Sequence, residues 1–125
     1  MFCVINWLNI MNNTDKNCLF CKIVAGKIDS EIIYEDEKVV VFKDIKPQAP
    51  IHILVVPRCH IPSLNEAAES IVGYCVGVAR NLAGKFGIAK EGYRVIINCN
   101  NLGGQEIYHI HIHLLGGRQM KWPPG

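Results

Sequence analysis

The segment His109-Ile110-His111-Ile112-His113-Leu114-Leu115 sets three histidines in strict alternation with apolar residues. Imidazole is the side chain whose protonation changes nearest neutral pH, so it can serve as nucleophile, proton donor or metal ligand. In an extended strand, alternate side chains share a face. His109, His111 and His113 therefore fall on one face, and Ile110, Ile112 and Leu114 on the other. Same-face neighbours then stand roughly 7 Å apart at Cα. Such a row suits two chemistries. It could hold a catalytic metal, since zinc takes three histidines and a water. It could instead handle a phosphate, with one ring attacking phosphorus and another donating to its oxygens. Three surface histidines with no joint role are the plain alternative, which strict alternation disfavours.

The loop ahead of the row bears on that choice. Asn98, Gly103, Gly104, Gln105 and Glu106 precede the histidines, and glycines let successive backbone N–H groups turn toward an anion. Alone, this stretch reads as an ordinary hairpin loop; beside three imidazoles it favours phosphate. A second chemical pair stands far upstream in Cys18-Leu19-Phe20-Cys21. Two thiols at this spacing can converge on one ion from a single turn. Redox sites use the same spacing, so a second ligand pair is needed before it specifies a metal.

The elements that must position these groups follow from pattern. Cys18 to Ala25 predicts a short helix closed by Gly26. Ile32–Tyr34 and Val39–Lys43 predict two strands joined at Glu35-Asp36-Glu37, and Ile51–Val56 a third that stops at Pro57. Ala67 to Phe86 is the one long helical candidate, with Ile71, Cys75, Val78, Leu82 and Phe86 forming an apolar stripe. Gly73 and Gly77 share a face of that helix; they mark either close approach of another backbone, such as a partner subunit, or simple tolerance of a poor helix former. Tyr93–Asn98 and Tyr108–Leu115 complete the strands. Short links and one long helix predict an antiparallel sheet with helices on one face, an α+β fold.

Composition sets the outer bounds. With 125 residues, half of them hydrophobic and 19% charged, the chain suits one globular domain. The net charge is only +2 and no Lys/Arg run exists, so a broad nucleic-acid surface is not indicated. The first ten residues are apolar but lack a basic start and a small-residue cleavage site, and they are too short to span a bilayer. The reading is a cytoplasmic protein with reduced thiols and no membrane partner. Residues 1–13 read as an N-terminal extension, disordered or a misassigned start before the polar run that Met11 opens, with the domain proper over 14–125.

The histidine run is the signature of the histidine triad (HIT) superfamily. Asp44-Ile45-Lys46-Pro47-Gln48-Ala49-Pro50-Ile51-His52, Gly103 through Arg118, and the ending Gln119-Met120-Lys121-Trp122-Pro123-Pro124-Gly125 resemble its Hint branch, the purine nucleoside phosphoramidases. The similarity runs over roughly residues 18–125. It implies a HIT-like α+β domain: a five-stranded antiparallel sheet with one long and one short helix, extended across a homodimer. It also implies hydrolysis of the P–N bond of substrates such as adenosine 5'-phosphoramidate or lysine-linked AMP, through a nucleotidyl-histidine and without a catalytic cofactor. By the same resemblance His111 is the nucleophile, His109 orients it, and His113 contacts phosphate. His52 stands at the phosphate or leaving-group side, and Asp44 accepts the ribose hydroxyls. Asn98, Gly104, Gln105 and Glu106 are phosphate-loop positions. Phe20, Ile23, Phe42, Ile45 and Leu54 line the base pocket, and Trp122 lies near the partner's site. Ile23 and Leu54 read equally well as core.

Some members of the superfamily hold zinc on two cysteines, a histidine and the first triad histidine. Here those positions are Cys18, Cys21, His60 and His109. A structural zinc and a pair of reduced core thiols remain the two readings. One departure concerns Glu106, where animal Hint proteins typically carry serine and bacterial ones often carry glutamate. A carboxylate beside phosphate is normally repelled, which suggests a side chain aimed at a cationic leaving amine. The alternatives are a dinucleoside polyphosphate hydrolase and a non-enzymatic purine nucleotide- or zinc-binding regulatory protein.

Overall fold

The computed structural model describes residues 15–125; the expected N-terminal extension lies outside them. A short helix (α1, Leu19–Val24) leads into strands β1 (Ile32–Glu35), β2 (Val39–Lys43) and β3 (Ile51–Pro57). A 3-10 turn at Leu64–Glu66 precedes the long helix (α2, Glu69–Lys85), and strands β4 (Tyr93–Ile96) and β5 (Ile112–Gly116) follow. All pairings are antiparallel, in the order β1-β2-β3-β5-β4. The expected α+β architecture of five strands, one long helix and one short helix is present.

Alternation along β2 and β3 builds two cores, one on each face of the sheet. Val39, Val41, Ile53 and Val55 join Ile112 and Leu114 against α2, meeting its stripe at Cys75, Val78 and Leu82, with Ile71 and Phe86 packed at the margin. Val40, Phe42, Leu54 and Val56 point the other way and bury Phe20 of α1. Both faces being covered explains why β2 reads as an unbroken apolar run rather than an alternating one. Helices thus sit on both faces, where the pattern alone suggested one.

Three boundaries differ from expectation. The long helix starts at Glu69 because Ser63 first caps a 3-10 turn, its hydroxyl accepting from the Asn65 N–H and donating to Glu66. β4 ends at Ile96, opposite His113 on β5. The final strand is shorter than Tyr108–Leu115: its ladder with β3 begins at Ile112, opposite Val55. In that register Ile110 would face Pro57, which has no N–H to give, and the Pro57 carbonyl is taken by His109 Nε2 at 2.7 Å. Ile110 instead donates to the Ile61 carbonyl at 2.7 Å. His109 and His111 therefore precede the regular ladder, although the alternation of faces continues through them. A Cβ at Gly73 or Gly77 would meet nothing within 4 Å, so among the described residues no other backbone packs on them. Among the described residues, no helix is long and apolar enough to cross a membrane.

Candidate functional site

A cavity of about 560 Å³ opens on the α1 face of the sheet. Its walls include Phe20, Ile23, Phe42, Ile45 and Leu54, its rim Asp44, Asn98, Gly104 and Glu106, and its floor His52, His111 and His113. The imidazoles reach it because His52 and Leu54 share a face of β3 and His113 stands opposite Leu54 on β5. The His111 and His113 rings are 4.9 Å apart, centroid to centroid, and Phe20 meets the His111 ring edge-on, also at 4.9 Å.

Hydrogen bonds set the tautomers of the three rings on the cavity floor. A backbone carbonyl can only accept, so His111 Nδ1 carries a proton and donates it to the His109 carbonyl at 2.8 Å. Its Nε2 lone pair is left free. A backbone amide can only donate, so the Gln48 N–H at 3.0 Å requires an unprotonated Nδ1 on His52. The His52 proton is then on Nε2, 2.9 Å from His113 Nδ1 and 3.4 Å from an Asp44 oxygen. Accepting from His52 places the His113 proton on Nε2. That atom is buried and, among the described residues, has no hydrogen-bond partner. An orphaned buried donor costs free energy unless a ligand meets it.

Electrostatics agree with neutral rings. Burial holds His111 below the ordinary histidine range, against the His109 carbonyl and Asp44, which favour the charged form. Burial and the neighbouring imidazoles push His113 down to about 4. Burial lowers His52 despite Asp44. Asp44, His52 and His113 lie close enough to suggest a cation site, but the proton required on His52 Nε2 removes the lone pair a metal would need. This argues against a metallohydrolase centre there.

A second cluster lies behind the cavity. Cys18 Sγ and Cys21 Sγ stand 3.4 and 3.5 Å from His109 Nδ1, and Cys21 Sγ is 3.3 Å from His60 Nδ1. The four donor atoms lie within 4.8 Å of one another. Tetrahedral zinc with ordinary Zn–S and Zn–N bonds separates sulfur and nitrogen ligands by about 3.5 Å. The His109 Nε2–H donates to the Pro57 carbonyl, leaving the Nδ1 lone pair facing the sulfurs. An Asp15 carboxylate oxygen lies 3.9 Å from His60 Nε2, beyond hydrogen-bond distance. The donor set fits zinc. Cys18, Cys21, Cys75 and Cys99 are free cysteines.

The site residues expected from the sequence gather at these two places, with two exceptions, Gln105 and Trp122, and His109 joins the second place rather than the first. His109 faces the thiols, fully buried, and its carbonyl accepts from the His111 ring on the cavity floor. Gln105 is buried beneath the loop, its amide donating to the Pro62 and Ile107 carbonyls and its Oε1 accepting from the Asn100 N–H, so it shapes the loop without lining the cavity. Trp122 is 83% exposed and outside the cavity of its own chain. Sequence reasoning missed Lys43, Lys46 and Ser30 on the wall and the Gln48 amide behind His52. The first three follow from which strand ends frame the cleft; the amide leaves no trace in residue type.

Fold and cleft together define a class: an α+β domain with an imidazole-floored cavity on an antiparallel sheet and a Cys/His cluster behind it. The HIT domain pattern matches residues 25–120, and the chain belongs to that family. It is 49% identical over 105 residues to the purine nucleoside phosphoramidase of Escherichia coli, covering 82% of this chain and 88% of that protein. It is 49% identical over 116 residues to a 14 kDa zinc-binding protein of Zea mays, covering 89% and 90%. Among solved structures, a HIT family hydrolase from Legionella pneumophila aligns with a TM-score of 0.85 at 47% identity, covering 87% of this chain and 100% of that one.

Proposed function

We propose that the protein hydrolyses the P–N bond of purine nucleoside phosphoramidates through a nucleotidyl intermediate on His111 Nε2. The observation that carries this reading is the pairing of a free Nε2 lone pair on His111 with the unpartnered Nε2–H of His113 on one cavity floor. His111 attacks the α-phosphorus as the P–N bond breaks, and the nitrogen departs with the electron pair and takes up a proton. Water then attacks phosphorus, the bond to His111 breaks, and the proton water loses balances the one the amine gained. The His113 N–H meets the charge that grows on the phosphoryl oxygens. Asp44 takes the ribose hydroxyls, and Phe20, Ile23, Phe42 and Leu54 enclose the base.

Glu106 sits on the rim beside the leaving group and selects cationic amines. Replacing it with serine is expected to lower kcat/KM for a lysine-linked adenylate more than for a neutral-amine one; equal losses would refute the assignment. Cys18, Cys21, His60 and His109 hold a zinc ion that cross-links α1 to the sheet. A homodimer extends the sheet across a two-fold axis and brings Trp122 to the partner's cavity.

The deciding test compares turnover of adenosine 5'-phosphoramidate with that of a diadenosine polyphosphate, with intact-mass detection of the adduct. His111→Ala is expected to abolish phosphoramidate turnover and the adduct while AMP still binds. Turnover retained by that variant, or preference for the polyphosphate, would overturn the reading.

A further inference from the structure

Helix α1 has six residues, too few to persist by its own hydrogen bonds. Two things pin it. Phe20 inserts into the second core, and the Cys18 and Cys21 sulfurs abut His109 and His60. The same helix supplies a wall of the cavity and sets the Phe20 ring perpendicular to the His111 ring. His109 is the joint between the two sites: its side chain faces the sulfurs, and its carbonyl receives the His111 Nδ1–H. A shift of the His109 backbone therefore moves the hydrogen bond that leaves the His111 lone pair free.

We propose that Cys18, Cys21 and His60 are positioning residues for the reaction at His111. By holding zinc together with His109 they fix both α1 and the His109 peptide, so occupancy of the cluster sets how well the cavity binds and how well His111 attacks. Unmetallated thiols are weak hydrogen-bond donors, and contacts of 3.3 to 3.5 Å with the imidazoles hold the two segments only loosely. Metal ligation replaces them with four short bonds. The proposal rests on His111 being the nucleophile.

The experiment uses the full chain in three states: as purified, stripped with a chelator, and reloaded with zinc. Metal content, AMP affinity by calorimetry, the ¹⁵N signature of the His111 ring, and kcat and KM separately are measured on each. Stripping is expected to lower kcat about tenfold, the scale of shells that orient a ligand, to weaken AMP binding, and to broaden the His111 Nδ1–H signal. Zinc reverses all three in the wild-type chain and not in Cys21→Ser. His60→Gln, which leaves both thiols in place, gives an intermediate loss and covers the case in which the cysteine variant fails to fold. Val78→Ala, a loss of core packing, lowers stability with these readouts unmoved. The proposal is overturned if the stripped chain stays folded with the His111 signature, AMP affinity and kcat unchanged, or if it takes up no zinc. Loss of function in His111→Ala is checked in parallel, so a wrong nucleophile is told apart from a wrong coupling.

Discussion

His109 and His113 are four residues apart on one segment, share one face, and are each pushed by burial down to about 4. Their hydrogen bonding differs. Both nitrogens of His109 have protein neighbours, Nε2 at the Pro57 carbonyl and Nδ1 at the sulfurs. Only Nδ1 of His113 does, and its Nε2–H is buried with nothing to meet. A depressed pKa thus marks burial in both, and the vacant donor separates the ring poised for a ligand from the ring that holds the scaffold.

The largest expected effect tests that separation directly. His113→Ala removes a donor to the phosphoryl oxygens and is expected to lower kcat roughly a hundredfold, about 3 kcal/mol, with little change in the urea midpoint because no satisfied hydrogen bond to a backbone group is lost. His109→Ala empties a fully buried site and orphans the Pro57 carbonyl, and is expected to cost about 2–4 kcal/mol of stability. Side-by-side denaturation and kinetics check both. Equal losses in the two variants on both measures would erase the distinction.

Acid titration sharpens the comparison next. The His113 ring is neutral in the folded chain, and its pKa lies below the unfolded value of about 6.5. Between about pH 6.5 and 4 the unfolded chain binds more protons, so stability falls as pH falls through that window and levels off below it. In His113→Asn the slope of stability against pH is expected to drop by about one proton, as read from urea midpoints across the range. For the same reason, the acid limb of kcat/KM is expected below the ordinary histidine range, because His111 is also depressed.

Much of this was legible before any coordinates. The 3.6-residue stripe of α2 and the apolar runs of β2 and β3 carry their own period, so these elements and the core between them could be drawn from residue type, whereas the second core under α1 could not. The face shared by His109, His111 and His113 was legible for the same reason. What separates His109 from His113 was not. Their partners are a proline carbonyl and sulfurs for His109 and the His52 ring for His113, all far along the chain, and backbone groups look alike in every sequence. The end of the ladder at Ile112 was in principle readable from Pro57, but only once the register pairing Val55 with Ile112 was known.

The smallest effect concerns the loop that sets the His52 tautomer. Gly117 has φ of +91°, and a Cβ there would fall 2.9 Å from the Pro50 side chain. Arg118 beside it donates from Nε to the Gln48 carbonyl at 2.8 Å, on the residue whose N–H reaches His52. Gly117→Ala therefore strains its own backbone and presses on the segment behind the cavity-floor rings, at a cost of about 1–2 kcal/mol. If the tautomer chain from Gln48 through His52 to His113 is what presents the vacant donor, this variant loses several-fold in kcat as well, with KM nearly constant. Val78→Ala, chosen for a similar loss of stability on the opposite core, is expected to keep kcat. A Gly117→Ala enzyme with the wild-type kcat would show that His113 holds its donor without help from the loop, and the difference between the two histidines would then rest on the His52 ring alone.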